Sequence, residues 1–219
     1  MIDLINDLSH KKIIIVCGHY GTGKTNIAVN LSVKLKEQTG LVYTLVDLDI
    51  VNPYFRSADN IKDLQNYGID FIVPAFANTN VDIPAVPAEI YSVFTEKKHS
   101  VIDVGGDDNG AVVLGMFADK IKAFDYEMIY VVNKYRNMIS GTESAVSLAG
   151  FIEKKSKLKI TSVINNSNIG SMTTEKDILN SLDYAKEISE KLNVPLIAAT
   201  SFTGLHNTIK INNYTKKYF

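Results

Sequence analysis

The sequence predicts an α/β fold of the three-layer, doubly wound kind, with a mostly parallel sheet of about seven strands. Three observations carry that expectation. Short β-branched runs alternate with helix-compatible segments along the whole chain. The first such run, Ile13, Ile14, Ile15 and Val16, passes through a glycine-rich turn into a helical segment. Two later runs end in aspartate, at Asp47 and at Asp103, and strand ends of a parallel sheet are where such folds bind ligands.

The elements follow in order. Ile2, Ile5 and Leu8 space out as a short amphipathic N-terminal helix. After the first strand, residues 24–38 read as a helix stopped by Gly40. Residues 41–48 form a buried second strand, and Pro53 makes 50–57 a loop over the site. A helix over 57–66 and a short strand over 70–73 come next. Residues 74–87 hold Pro74, Pro84 and Pro87 and form the most irregular stretch. A helix over 87–97 leads to the fourth strand, 99–104. Beyond it the periodicity predicts a helix over 111–124, a strand over 128–133 and a helix over 141–157. The last alternation is a strand over 159–165, a helix over 175–192 capped by Thr173 or Thr174, and a strand over 196–199. The tail from Leu205 holds no helical period and is expected to dock on the domain or fray.

At 219 residues the simplest organisation is a single domain over 1–219. A net charge of −1 gives no pull toward nucleic acid or an anionic membrane, and neither is expected as a partner. Cys17 is the single cysteine, so no disulfide framework exists and a buried thiol is expected. The polar N-terminal segment does not read as a signal peptide, and no apolar run reaches the length of a membrane span. The expected location is cytoplasmic.

Residues Gly18, His19, Tyr20, Gly21, Thr22, Gly23, Lys24 and Thr25 fit the phosphate-binding P-loop pattern G-x-x-x-x-G-K-[ST], between the strand and helix that the motif needs. Its glycines let successive N–H groups turn toward phosphate oxygens, and the following helix adds its positive N-terminal end. Lys24 is expected at the β/γ-phosphates and the Thr25 hydroxyl on Mg²⁺. The candidate nucleotide-binding segment extends to Asn26. Downstream, an apolar strand ends in Asp103 with Gly106 three residues on. In that Walker B arrangement the carboxylate holds Mg²⁺ through water, and Gly106 lets backbone approach the γ-phosphate.

The order of these motifs, with Asp47 and Asp49 ending the second strand between them, resembles the MinD/ParA family of P-loop ATPases over roughly residues 12–200. The resemblance implies the P-loop NTPase fold, bound ATP and Mg²⁺, and hydrolysis. It makes Val46, Asp47, Leu48, Asp49 and Ile50 similar to that family's switch I, and 101–106 to its switch II. It implies that Asp47 and Asp103 act through the metal's water shell, that Asp49 orients the attacking water and that Asn165 reads the base amino group. Ser201 and Phe202 would border the base. Many members carry a second P-loop lysine that reaches the partner's nucleotide across a homodimer. His19 stands there in this chain, with a shorter reach and partial charge. Asn133, Lys134, Tyr135 and Arg136 begin like the guanine-reading Asn-Lys-x-Asp, but Arg136 replaces the carboxylate that accepts from guanine, which favours ATP.

The implied function is a slow, Mg²⁺-dependent ATPase acting as a nucleotide-controlled switch for a protein partner, with Asp47, Asp49 and Gly106 in the switch segments. Two other readings stay open at this level. One is an ATP-dependent small-molecule kinase or synthetase similar to dethiobiotin synthetase, with 74–87 lining its pocket. The other is a nucleotide-binding regulator with negligible hydrolysis.

Overall fold

Alternate residues of each central strand face opposite layers, and that alternation builds the two cores. In a computed structural model, residues 2–49, 65–73, 88–95, 97–106, 108–136, 141–205 and 208–215 are described. The expected loop over 50–57, all but the end of the helix over 57–66, and the Pro-rich stretch 74–87 lie outside them, as does the end of the tail.

The strands are β1 (Ile13–Cys17), β2 (Tyr43–Asp47), β3 (Asp70–Ile72), β4 (His99–Asp103), β5 (Tyr126–Val132), β6 (Ser162–Asn165), β7 (Leu196–Ser201) and β8 (Ile209–Lys210). They form one sheet in the order β3-β2-β4-β1-β5-β6-β7-β8, every neighbouring pair parallel. The sheet therefore has eight strands and is wholly parallel, one strand more than the sequence suggests. The extra strand is only two residues long, too short to leave a period in the tail.

Six α-helices among the described residues cover the sheet: α1 (Ile2–Ser9), α2 (Lys24–Thr39), α3 (Asp108–Met116), α4 (Ala118–Lys122), α5 (Thr142–Ser156) and α6 (Glu175–Leu192). On one face, Ile14, Val16, Leu45, Val101, Ile129 and Val131 meet Leu4, Ile5 and Leu8 of α1 and Ile27, Leu31 and Leu35 of α2. On the other, Ile13, Ile15, Val46, Ile102, Met128 and Tyr130 meet Leu114, Phe117, Ile121, Ala149, Ile152 and Ile188. Burial on both faces is why these strands are continuous apolar runs instead of alternating ones.

Helix ends follow the expected chemistry. Gly40, at φ +70°, caps α2 and donates its N–H to Lys36 O at 2.8 Å. Thr174, not Thr173, caps α6: its hydroxyl accepts from Asp177 N, and the Asp177 carboxylate accepts from Thr174 N at 2.8 Å, a capping box.

Three expected elements differ. The helix over 87–97 is a 3₁₀ helix, Ala88–Val93, in a stretch whose aromatic and β-branched residues weaken α-helix, with Tyr91 and Phe94 packed on the Phe117 ring. The helix over 111–124 starts earlier, at Asp108, and breaks at Phe117, whose backbone (φ −105°, ψ 4°) leaves the helical region. Strand β6 is shorter than 159–165 because side chains satisfy its leading donors: Lys159 N donates to Tyr126 Oη and Ile160 N to Glu153 Oε1.

No helix among the described residues is long and apolar enough to cross a membrane. Cys17 closes β1, fully buried, with its Sγ 3.5 Å from Ile129 O. Burial pushes its thiol up to about 12, outweighing the nearby Lys24 ammonium. The folded protein is therefore expected to leave this thiol unmodified by a thiol reagent at neutral pH, and to react once per chain after denaturation, as counted by mass spectrometry.

Candidate functional site

The site sits where β1, β4 and β2 end together. Register pairs Val16 with Asp103 and Asp47 with Asp103, so the P-loop leaves β1 beside both carboxylates. Gly18 turns out of β1 at φ +144°, and a Cβ there would lie 2.4 Å from Val131 O. Gly23, at φ +88°, precedes α2; a Cβ there would lie 2.3 Å from Asn166 Nδ2. Both positions thus need glycine for conformation and for space.

Lys24 is almost wholly buried, and its Nζ donates to His19 O at 3.0 Å across the mouth of the loop. Thr25 Oγ1 donates to Asp103 Oδ2 at 2.6 Å, joining the start of α2 to the end of β4. Asp103 Oδ1 is buried and accepts no hydrogen bond from the described residues. Asp49 N donates to Asp47 Oδ1 at 2.8 Å, which holds the second carboxylate at the same edge. Gly106 lies directly against the loop: a Cβ on it would be 2.5 Å from Tyr20 N and 2.8 Å from Lys24 Nζ. Burial pushes the Asp103 carboxyl up to about 6, against the pull of the Lys24 ammonium and the Thr25 hydroxyl, with Asp49 adding to the rise.

A hydroxyl and a buried carboxylate oxygen without a donor are hard oxygen ligands, and this pair fits Mg²⁺ held mainly by water and phosphate. Among the described residues no cluster of three His, Cys, Asp or Glu could cage a metal by itself.

On the other side of the loop opens a cavity of about 670 Å³, lined in part by Gly21, Thr22, Gly23, Asn26 and Phe202. No carboxylate stands among its described lining residues, whereas several asparagine amides do, Asn133, Asn166 and Asn168 among them. Asn165 does not line it. Its amide donates to Ser181 Oγ at 2.9 Å and accepts from Ser167 N at 3.1 Å, so the protein itself takes up the group expected to read the base. Ser201 is likewise turned inward, accepting from Gly204 N and Leu205 N at 3.0 Å. His19 Nδ1 is 2.9 Å from Tyr20 O, a contact within the loop, while the Tyr20 side chain is exposed.

Three features escape sequence reading. Asn166, next to the expected residue, is buried, donates to Thr22 O at 2.7 Å and accepts from Thr200 Oγ1 at 2.6 Å. Arg136 lies over the loop, its Nε 3.6 Å from where a Gly21 Cβ would be. Part of the tail, Ile211 to Asn213, lines the cavity. The run Asn165, Asn166, Ser167, Asn168 at a strand end was the signal for the first; nothing local marks the other two.

No family model matches the chain, and no curated protein matches it. Solved structures do. Cell division protein FtsY from Thermotoga maritima is 18% identical with a TM-score of 0.57, over 94% of this chain and 66% of that one. Chloroplast FtsY from Physcomitrella patens is 14% identical with a TM-score of 0.58, over 86% and 58%. The signal recognition particle 54 kDa protein from Aeropyrum pernix, solved in complex with GDP, is 16% identical with a TM-score of 0.54, over 87% and 41%. This chain thus spans less than two thirds of each of those proteins. None of the three is a MinD/ParA ATPase, and at these identities the likeness shows the fold alone: a three-layer P-loop NTPase fold.

One consequence concerns Asp103. In the unfolded chain it titrates near its ordinary 3.8, and in the folded one at about 6. Its contribution to stability is therefore fully present below the lower value and is lost as pH rises through the higher. Above about pH 6 the ligand-free Asp103→Asn variant is expected to melt at a higher temperature than the parent, with the difference vanishing in acid. Differential scanning calorimetry across that range checks it.

Proposed function

We propose that this chain is a single-domain, MinD/ParA-like ATPase that binds ATP with Mg²⁺, hydrolyses it slowly, and uses its nucleotide state to control a protein partner. The observation that carries the reading is the junction of the P-loop with two strand-end carboxylates, fixed by the Thr25–Asp103 hydrogen bond of 2.6 Å. Phosphoryl transfer asks a protein for positioning and charge neutralisation more than for covalent chemistry, and this junction supports both.

In this reading the loop N–H groups between Gly18 and Thr25 take the phosphate oxygens. Lys24 exchanges its hydrogen bond to His19 O for a phosphate oxygen. Thr25 and Asp103, with Asp47 beside them, would hold Mg²⁺, which would supply positive charge to offset that of the phosphates. Asp49 orients the water that attacks. Gly106 touches both Tyr20 and Lys24, so a γ-phosphate entering the loop would press on the segment after β4. That contact supports a switch, because the segment leads straight into α3, where Val112 and Met116 are exposed for a partner to meet.

The asparagine-lined cavity supports adenine. Guanine presents two donors that a single carboxylate satisfies, and the described lining has none; an amide offers one donor and one acceptor, which matches the edge of adenine. The GDP bound to the Aeropyrum protein is a property of that protein.

Lys24→Ala and Asp49→Ala are each expected to lower phosphate release from ATP by about 100-fold or more. Turnover that persists in both variants would overturn the ATPase assignment. Phosphate transferred to a small acid or alcohol, and not to water, would replace it with a kinase. In competition binding, ATP is expected to exceed GTP by at least about tenfold. Tighter GTP would overturn the base assignment and leave the phosphate site intact.

A further inference from the structure

The asparagines one turn apart on α2, Asn26 and Asn30, are both buried and both turned to the C-terminal segment. Asn30 Nδ2 donates to Asn212 O at 2.8 Å while its Oδ1 accepts from Asn212 N at 2.8 Å. Asn26 Nδ2 donates to the same carbonyl at 3.0 Å while its Oδ1 accepts from Tyr214 N at 2.9 Å. Two side-chain amides thus do for the backbone of 212–214 what a neighbouring strand would do. Asn30 Nδ2 also donates to Asn26 O at 2.8 Å, which fixes its orientation on the helix.

The segment is anchored at both ends. β8 pairs with β7, and Ile211 N donates to Ser201 O at 2.9 Å with the Ile211 side chain buried. The Tyr214 ring meets the Tyr67 ring edge-on, centroids 5.3 Å apart. Held this way, Ile211, Asn212, Asn213 and Thr215 line the cavity that begins at Gly21, Thr22 and Gly23. An apolar pair at the two helix positions could pack without the risk of leaving buried amides unmet. The polar pair instead sets the height and direction of a particular stretch of backbone.

We infer that residues 211–215 are a strap forming the nucleoside-side wall of the site, and that Asn30 is the positioning residue that holds it. This rests on the nucleotide reading above. The ligand part it serves is a purine nucleoside: the exposed amides of Asn212 and Asn213 offer donors and acceptors to the edge of a flat ring or to ribose hydroxyls, and the half-buried Phe202 in the same lining offers an apolar surface. Asn30 itself does not line the cavity, so it acts only through the strap. Inorganic triphosphate uses the P-loop alone and has no part for the strap to hold.

That difference gives the test. ATP and tripolyphosphate, each with Mg²⁺, are titrated calorimetrically into the full chain, into Asn30→Ala and into Asn212→Pro. The second variant removes the N–H that Asn30 accepts and leaves α2 unaltered. ATP affinity is expected to fall by at least about tenfold in both variants while tripolyphosphate affinity is unchanged. Equal losses for the two ligands, or no loss of ATP affinity, would overturn the strap. If Asn30→Ala fails to fold by circular dichroism, Asn212→Pro and Asn213→Ala carry the same comparison. A parent protein that does not bind ATP, whether or not it binds tripolyphosphate, overturns the nucleotide reading and the strap with it; a parent that binds ATP no better than the two variants do overturns the strap alone.

Discussion

Every strand of a parallel sheet delivers its last residue to the same edge, and that single constraint organises this molecule. Because β1 lies between β4 and β5, the chain leaving Cys17 emerges with Asp103 on one side and Tyr130 on the other. Because β2 lies beyond β4, Asp47 arrives next to Asp103. The carboxylates are far apart in sequence and adjacent only through register. A one-residue slip in β4 would turn the Asp103 side chain to the opposite face and separate it from Thr25.

Helix α2 converts that edge into a site with two sides. It is buried on most of its circumference, as ten residues from Lys24 to Leu35 show, so it can carry function in more than one direction. Lys24 and Thr25 point at the loop and at β4, where phosphate and metal chemistry would lie. Asn26 and Asn30 point at the tail, where the cavity opens. The two directions differ in electrostatics as they do in place. The first is a desolvated cluster of charges, with Asp103 pushed upward by burial; the second has no carboxylate among its described lining residues and sets Arg136 beside amides, hydroxyls and apolar side chains.

The central architecture was legible because its signals are local. A β-branched run before a glycine-rich turn marks β1 and α2, and Thr174 with Asp177 marks the start of α6. Asp47 and Asp103 could be read as site residues because strand ends are predictable in a parallel sheet. What escaped depends on tertiary contact. Strand β8 is two residues that pair only because β7 offers an edge. The break at Phe117 reflects packing with Tyr91 and Phe94, distant in sequence. Asn26 sits in the P-loop segment and lines the cavity, and its side-chain amide also bonds the tail, across more than 180 residues. Asn165 is the last residue of β6 and Asn166 the first beyond it, and only the tertiary contacts tell that Asn165 meets Ser181 while Asn166 meets the loop.

Base choice shows why likeness of fold does not carry likeness of ligand. Phosphate recognition uses backbone N–H groups, a lysine and a hydroxyl, and any chain with this strand, turn and helix can supply them. The cavity beside the P-loop is lined by residues of the loops after β5, β6 and β7 and of the tail, and such loops can change without disturbing the sheet. In this chain the cation at Arg136 stands over Gly21, and asparagines occupy the cavity that a carboxylate would have to enter to hold guanine. A positive charge beside the loop serves phosphate and repels the donor-rich edge of guanine. In the proposed reading, Arg136 in place of a carboxylate would therefore favour what every nucleotide shares and leave selection of the base to other groups of the cavity, the strap among them.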